Sequence, residues 1–253
     1  MHANDLAVSL LSQIVAIYRE TRKPKDILWN RFVARPVAAV LLVPLAKTRT
    51  TPNQVTFLSL LTFVAAMVML ALERGYLWLV GAALVLELSY VLDCADGQLA
   101  RLRHRSSPVG AHLDFLMDEL KAFLLVAACG IRLWRDDGHE LWLIEALLGL
   151  AVVACAISLT TFLRRPEYLA ASGSARPASA GDYGEGFQAA SAKPASLMGL
   201  VEDLGRFLIH YPSYILFVAL ADQLDIFLHV YLAINAAYAG RSLLSVMLKL
   251  GRS

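Results

Sequence analysis

The chain has 253 residues, of which 58% are hydrophobic and only 17% charged, with a formal net charge of +2. Soluble domains carry about a quarter charged residues, so this composition excludes an ordinary soluble enzyme and points to a membrane protein. No nucleic acid is expected as a partner, and the three cysteines, Cys94, Cys129 and Cys155, lack the paired spacing of a structural metal site and read as core-filling thiols.

In chain order, the first apolar patch, "LAVSLLSQIVAIY", is flanked by acid and has no basic start or A-x-A site, so no cleavable signal peptide is expected. Residues 27–45 carry Arg31 and Arg35 among apolar side chains and read as an amphipathic helix lying in the membrane interface, divided in two by Pro36. Residues 1–50 are therefore expected to form a cytoplasmic, interfacial segment, and residues 51–253 the membrane domain. A bilayer core about 30 Å thick needs about 20 apolar residues per helix. Six segments approach that length: 54–72, 76–92, 109–131, 141–163, 207–221 and 226–248, the fifth kinked by Pro212. The expected fold is all-α and integral to the membrane, with six transmembrane helices preceded by the interfacial helix. With both termini cytoplasmic, the outside loops hold only three of the 23 lysines and arginines, Arg74, Arg132 and Arg135, which sets the orientation. Arg103 and Arg105 read as contacts to lipid headgroups or solvent. Residues 166–200 contain "AASGSARPASAGDYGEGFQAASAKPAS", too small and too rich in Gly and Pro to bury a core. They read as a flexible cytoplasmic loop, with a lid over the active site as the alternative.

The stretch "VLDCADGQLARLRHRSSPVGAHLDFLMDELKAF" places four aspartates in or beside apolar segments, where an ionised carboxylate is costly and marks a function. Asp93 and Asp96 are three apart at the cytoplasmic end of the second span, and Gly97, Ala100 and Arg101 continue their face at helical spacing. Asp114 and Asp118 are four apart on the third span, with Gly110 and Lys121 on the same stripe. The short polar turn "LRHRSSP" makes the two helices antiparallel neighbours, so the two carboxylate pairs face each other. Four like charges this close need cations, and an all-oxygen ligand set favours magnesium, manganese or calcium over zinc. Gly97 and Ala100 leave room for a ligand, and the Arg101 fork suits a phosphate. The constellation describes a pyrophosphate site in which two metals bridge phosphate oxygens and one carboxylate is left as base.

These residues resemble the signature of the CDP-alcohol phosphotransferases, D-x2-D-G-x2-A-R-x8-G-x3-D-x3-D, at every fixed position: Asp93, Asp96, Gly97, Ala100, Arg101, Gly110, Asp114 and Asp118. "TPNQVT", from Thr51, is similar to the family's approach to its first span. The resemblance implies six transmembrane helices, a homodimer, and a polar cavity open to the cytoplasm, here at a bacterial inner membrane. It implies a centre of two divalent cations, magnesium first with manganese or calcium in reserve, bound by Asp93, Asp96, Asp114 and Asp118. Asp118 would also deprotonate the acceptor hydroxyl, while Gly97, Ala100 and Arg101 hold the CDP moiety. CMP would leave, in phospholipid or related phosphodiester biosynthesis. The signature does not name the alcohol. CDP-diacylglycerol and CDP-inositol types are the candidate donors, and a hydroxyl on a phosphorylated polyol is a candidate acceptor. The lead-in "KPKDILWNRFVARPVAAVLLVPLAKTRTTPNQVT" resembles that of inositol-phosphate-using members. Many phosphatidyl-transferring members place Lys directly after the last aspartate; here Glu119 follows Asp118 and the lysine comes at Lys121.

Lys121 reads either as a structural ion pair or as a substrate contact. Arg164 and Arg165 read as positive-inside anchors or as an acceptor-phosphate pocket, and Arg241, inside the last span, as a partner for an anion. Asn53 and Thr56 read as caps of the first span or as nucleotide contacts. Two other classes compete. A magnesium-dependent prenyltransferase would want two separate aspartate-rich motifs. An ion-coupled transporter would want repeated halves with a second carboxylate pair.

Overall fold

The computed structural model describes residues 3–23, 26–163, 165–171, 207–208 and 210–250. Among these residues the chain is helical, with no strand. Helix α1 spans Ala3–Thr21 and α2 spans Arg35–Leu45, entered through a π-turn at Asn30–Ala34. The expected break at Pro36 is thus a widened turn inside one continuous run. Pro36 cannot donate to the carbonyl one turn back, and the longer register accommodates the missing bond.

Helix α3 covers Pro52–Leu72, α4 Tyr76–Leu102, α5 Pro108–Asp137 and α6 Leu141–Leu163. Short α7 (Pro166–Ala171) follows, then a 3-10 turn at Tyr211–Ser213, α8 (Ile215–Leu220) and α9 (Leu224–Leu250). Among the described residues three helices, α3, α4 and α6, are long and apolar enough to cross a membrane. Helices α5 and α9 are long enough, at 30 and 27 residues, but polar and charged side chains dilute them. The fifth expected segment is not one helix: Pro212 sits in the 3-10 turn, and α8 is only six residues long. Pro166–Ala171, expected as loop, is helical, and the remainder of the expected loop lies outside the described residues.

Helix α3 lies between α4 and α5, α6 joins α5 to α9, and α1 and α2 pack against α4. Small polar residues close the α3–α4 seam. Ser59 Oγ donates to the Ser89 carbonyl at 3.0 Å and Ser89 Oγ to the Ser59 carbonyl at 2.8 Å, both buried. Small residues let helix backbones approach, and reciprocal bonds hold them without bulk. On the lipid side α6 leaves Leu141, Ile144, Leu147 and Leu148 exposed.

Arginines clamp the turns at both ends of α3. Arg103 donates to the carbonyls of Thr50, Thr48 (2.8 Å) and Leu45 (3.1 Å) in the α2–α3 turn. It is therefore a structural clasp and not the lipid contact expected. Arg132, buried at 3% exposure, bonds the carbonyls of Glu73 (2.5 Å) and Gly75 (3.1 Å) and pairs with Asp136, and Arg135 reaches the Leu72 carbonyl.

Gly130 marks a close approach of α5 and α6. A Cβ built there would sit 2.3 Å from Ala146 Cβ and 3.0 Å from the Trp142 carbonyl oxygen. Backbone cannot yield as a flexible side chain can. Gly130→Ala is expected to destabilise the α5–α6 pair by about 1–3 kcal/mol, read as a lowered unfolding midpoint in detergent.

Candidate active site

The site forms where the far end of α4 meets the start of α5. Helix α4 ends with the αL residue His104 (φ 51), whose N–H bonds the Arg101 carbonyl while Arg105 N–H bonds that of Ala100. This is a Schellman closure in which His stands where Gly is usual. Helix α5 then starts with Ser107 as N-cap, accepting from Gly110 N at 3.1 Å, and Pro108 at N1. The two sharp ends, a few residues apart, bring the end of α4 and the start of α5 together, but the helices are not the packed neighbours expected from the turn, because each packs on α3 instead. As a result, one carboxylate oxygen each from Asp93, Asp96 and Asp114 lies within 4.8 Å of the others. Three anionic oxygens and no nitrogen or sulfur fit a hard divalent cation.

Asp96 is buried, and Thr56 Oγ1 donates to its Oδ2 at 2.5 Å across the α3–α4 seam. Asp118 stands outside the three-way convergence. Its side chain is 61% exposed, and Lys121 Nζ lies 3.5 Å from its Oδ1. Lys121 itself is 3% exposed and pairs directly with Asp93. One lysine thus bridges the metal-type carboxylates and the outlying one.

Arg101 folds back over Gly97. A Cβ at that glycine would lie 3.5 Å from Nη1 and 3.8 Å from Nη2. Its Nε donates to the Thr21 carbonyl at 2.8 Å, and Nη2 is buried with no hydrogen-bond partner.

The family model for CDP-alcohol phosphatidyltransferase matches residues 49–221. The chain belongs to that family. The chain is also 30% identical, over 105 residues, to the "Bifunctional IPC transferase and DIPP synthase" of Aquifex aeolicus (strain VF5). That match covers 41% of this chain and 23% of the relative, so the chain spans well under two thirds of the relative it matches. Membership of that family sets aside the prenyltransferase and transporter readings.

The other expected site residues are placed unevenly. Asn53 is exposed at the start of α3, its Oδ1 4.0 Å from where a Cβ at Gly110 would stand. Neither it nor Thr56 caps α3. The cap is Thr51, in a capping box with Gln54. Ala100 is partly buried one turn beyond Asp96. Arg165 is exposed beyond α6, and Arg241 is exposed on α9. Arg164 lies outside the described residues.

Several residues beside the site gave no sequence signal. Asp26 and Arg35 form an ion pair whose side chains are 3% and 7% exposed. Asp26 also accepts from Ile27 N and Asn30 Nδ2, both at 3.0 Å. Asn30 Oδ1 in turn accepts from the Tyr90 hydroxyl at 2.5 Å, and His210 Nε2 lies 2.7 Å from that hydroxyl. Tyr90 is one turn before Asp93, so this buried chain ties the N-terminal segment to the metal-type helix. Lys23 is partly buried nearby, with Arg35, Arg101, Asp26 and Asp114 acting on it. Burial first, then the two arginines, holds the Lys23 ammonium below its ordinary range.

Proposed function

We propose that the enzyme transfers a phospho-alcohol group from a membrane-borne CDP-alcohol to the hydroxyl of a second alcohol, with release of CMP. The observation that carries this is the partition of the aspartates. Three converge as a cation site, and Asp118 stands apart, accessible and tethered by Lys121. Asp93, Asp96 and Asp114, with Asp118 at the edge, would hold two divalent cations, magnesium first. When bound, these neutralise the diphosphate and stabilise charge on the departing CMP. Asp118 takes the proton of the acceptor hydroxyl. The acceptor oxygen forms a bond to the phosphorus next to the donor alcohol, the anhydride bond to CMP breaks, and CMP leaves with that electron pair. Gly97, Ala100 and Arg101 hold the CDP moiety, with Asn53 and Thr56 at the same mouth. Arg164, Arg165 and Arg241 are the proposed acceptor-side cations. Six spans, a homodimer, and a cytoplasmic-facing site in a bacterial inner membrane complete the reading.

The likeness of the lead-in to inositol-phosphate-using members favours a phosphorylated polyol as acceptor. CMP release by purified protein in detergent with magnesium tests this. CDP-diacylglycerol, CDP-inositol and CDP-choline are each offered with a panel headed by inositol phosphate. Release is expected with one donor and a phosphorylated acceptor. Release with only unphosphorylated acceptors would overturn the acceptor reading, and silence across the panel would overturn the choice of donors.

A further inference from the structure

Asp93, Asp96 and Asp114 bring their oxygens together, but they are held in different ways. Asp93 is paired with the Lys121 ammonium, so a cation arriving at the cluster must share Asp93 with a charge already there. Asp96 is gripped by a neutral group. Thr56 Oγ1, on α3 and forty residues earlier in the chain, donates to Asp96 Oδ2 at 2.5 Å, and both residues are buried. A neutral donor satisfies one lone pair of the carboxylate and leaves its negative charge for a cation.

The hydroxyl has one proton and two acceptors in reach. The Pro52 carbonyl, one turn back on α3, lies at 3.2 Å, against 2.5 Å for Asp96 Oδ2. A threonine inside a helix commonly bonds back to the carbonyl four residues earlier. Here the shorter bond, to a charged acceptor, takes the proton. The α3–α4 seam is arranged to deliver it. Ser59, three residues after Thr56 on the same face of α3, exchanges two hydrogen bonds with Ser89 on α4, and that buried pair holds the helices against sliding and rotation. Neither role expected for Thr56 uses this proton. The cap of α3 is Thr51, and a hydroxyl that has given its proton to Asp96 has only lone pairs left for a nucleotide.

We infer that Thr56 is a positioning residue for the cation site: its hydroxyl holds the Asp96 carboxylate in the orientation that meets Asp93 and Asp114, and so sets the affinity for a divalent cation. This rests on the reading of the three aspartates as cation ligands. The first long apolar helix, which contributes no carboxylate to the cluster, then takes part in metal binding through a single side chain.

The test is a calorimetric titration of magnesium into the full-length, substrate-free protein in detergent. Thr56→Val keeps the shape and removes the hydroxyl. It is expected to weaken magnesium binding by about 10–100-fold, the usual cost of losing a group that orients a metal ligand. Thr56→Ser keeps the hydroxyl and is expected to retain most of the affinity. Turnover of Thr56→Val is expected to recover at saturating magnesium, because every group that touches the substrate is still in place. Ser59→Ala separates positioning from packing. It removes one of the two reciprocal bonds and leaves the other, which uses the Ser59 carbonyl. It is expected to lower the unfolding midpoint in chelator and leave magnesium affinity unchanged. A loss of affinity in Thr56→Ser or Ser59→Ala equal to that in Thr56→Val would mean that packing of the seam sets the affinity, and would overturn the proposal. Wild-type affinity in Thr56→Val, with affinity lost in Asp96→Asn, would overturn the role of Thr56 and leave the cation site standing. Wild-type affinity in both would overturn the cation site itself. Thr56→Ala, which sets no methyl against the carboxylate, covers the case of a poorly folded valine variant. The same loss is expected in it, and wild-type affinity there would likewise overturn the proposal.

Discussion

Asp118→Asn is expected to lower turnover by about 10²–10⁴-fold, the range a positioned general base contributes, while CDP binding changes little. The carboxamide has the shape of the carboxylate and its oxygen still accepts from Lys121, 3.5 Å away, so the local geometry survives. What is lost is basicity. Asp93, Asp96 and Asp114 converge on one point, which suits ligands of a cation and leaves them poor bases. Asp118 is the aspartate that is both oriented by a lysine and open to an incoming hydroxyl, with 61% of its side chain exposed. Single-turnover CMP release and CDP affinity, taken on one preparation, separate the two effects. Turnover near wild type would remove Asp118 from the role of base. An equal loss of turnover and CDP affinity would make it a binding residue.

The aspartate constellation was legible in the sequence because it is local. Asp93 and Asp96 share a face by helical spacing, Asp114 and Asp118 do the same, and the turn between the helices is short enough to bring the end of α4 to the start of α5. The spacing could not show that three carboxylates meet and the fourth stands off, since that depends on where Lys121 reaches across to α4. Arg103 shows the limit more clearly. Its sequence position offers only a charge near a turn. Its work is on the carbonyls of Leu45, Thr48 and Thr50, more than fifty residues earlier, and no periodicity encodes that.

The first span's cap was legible and was misread. Asn is a strong N-cap, which favoured Asn53, but Pro52 belongs at the first helical position and Gln54 completes a capping box with Thr51. Proline position outranks cap preference here. The missing N–H of Pro212 predicts a kink within one span. The 3-10 turn at Tyr211–Ser213 was not anticipated, because apolar composition does not distinguish a kinked helix from a turn and a short helix. Nothing in the sequence singles out Asp26, since its pair with Arg35 and its bond to Asn30 form only in the folded chain, where α1 and α2 lie against α4.

Lys121→Met is expected to destabilise the protein in chelator by about 3–5 kcal/mol, the cost of removing one partner from a buried ion pair. Lys121 is 3% exposed and faces Asp93, whose oxygen is within 4.8 Å of those of Asp96 and Asp114. Without the ammonium, three like charges share a small volume with their paired counter-charge removed. The sign of the magnesium effect follows. A divalent cation supplies the missing charge, and it no longer competes with the lysine for Asp93. Added magnesium should therefore recover more stability in the variant than in the wild type, the gain growing with the logarithm of ion concentration over its dissociation constant. Lys121→Arg keeps the charge and should lose much less in chelator. Unfolding midpoints in detergent across a magnesium series measure all of this. A loss in Lys121→Met that is the same with and without magnesium would mean that Lys121 acts by filling space, and that the cluster is not held together by opposing its charges.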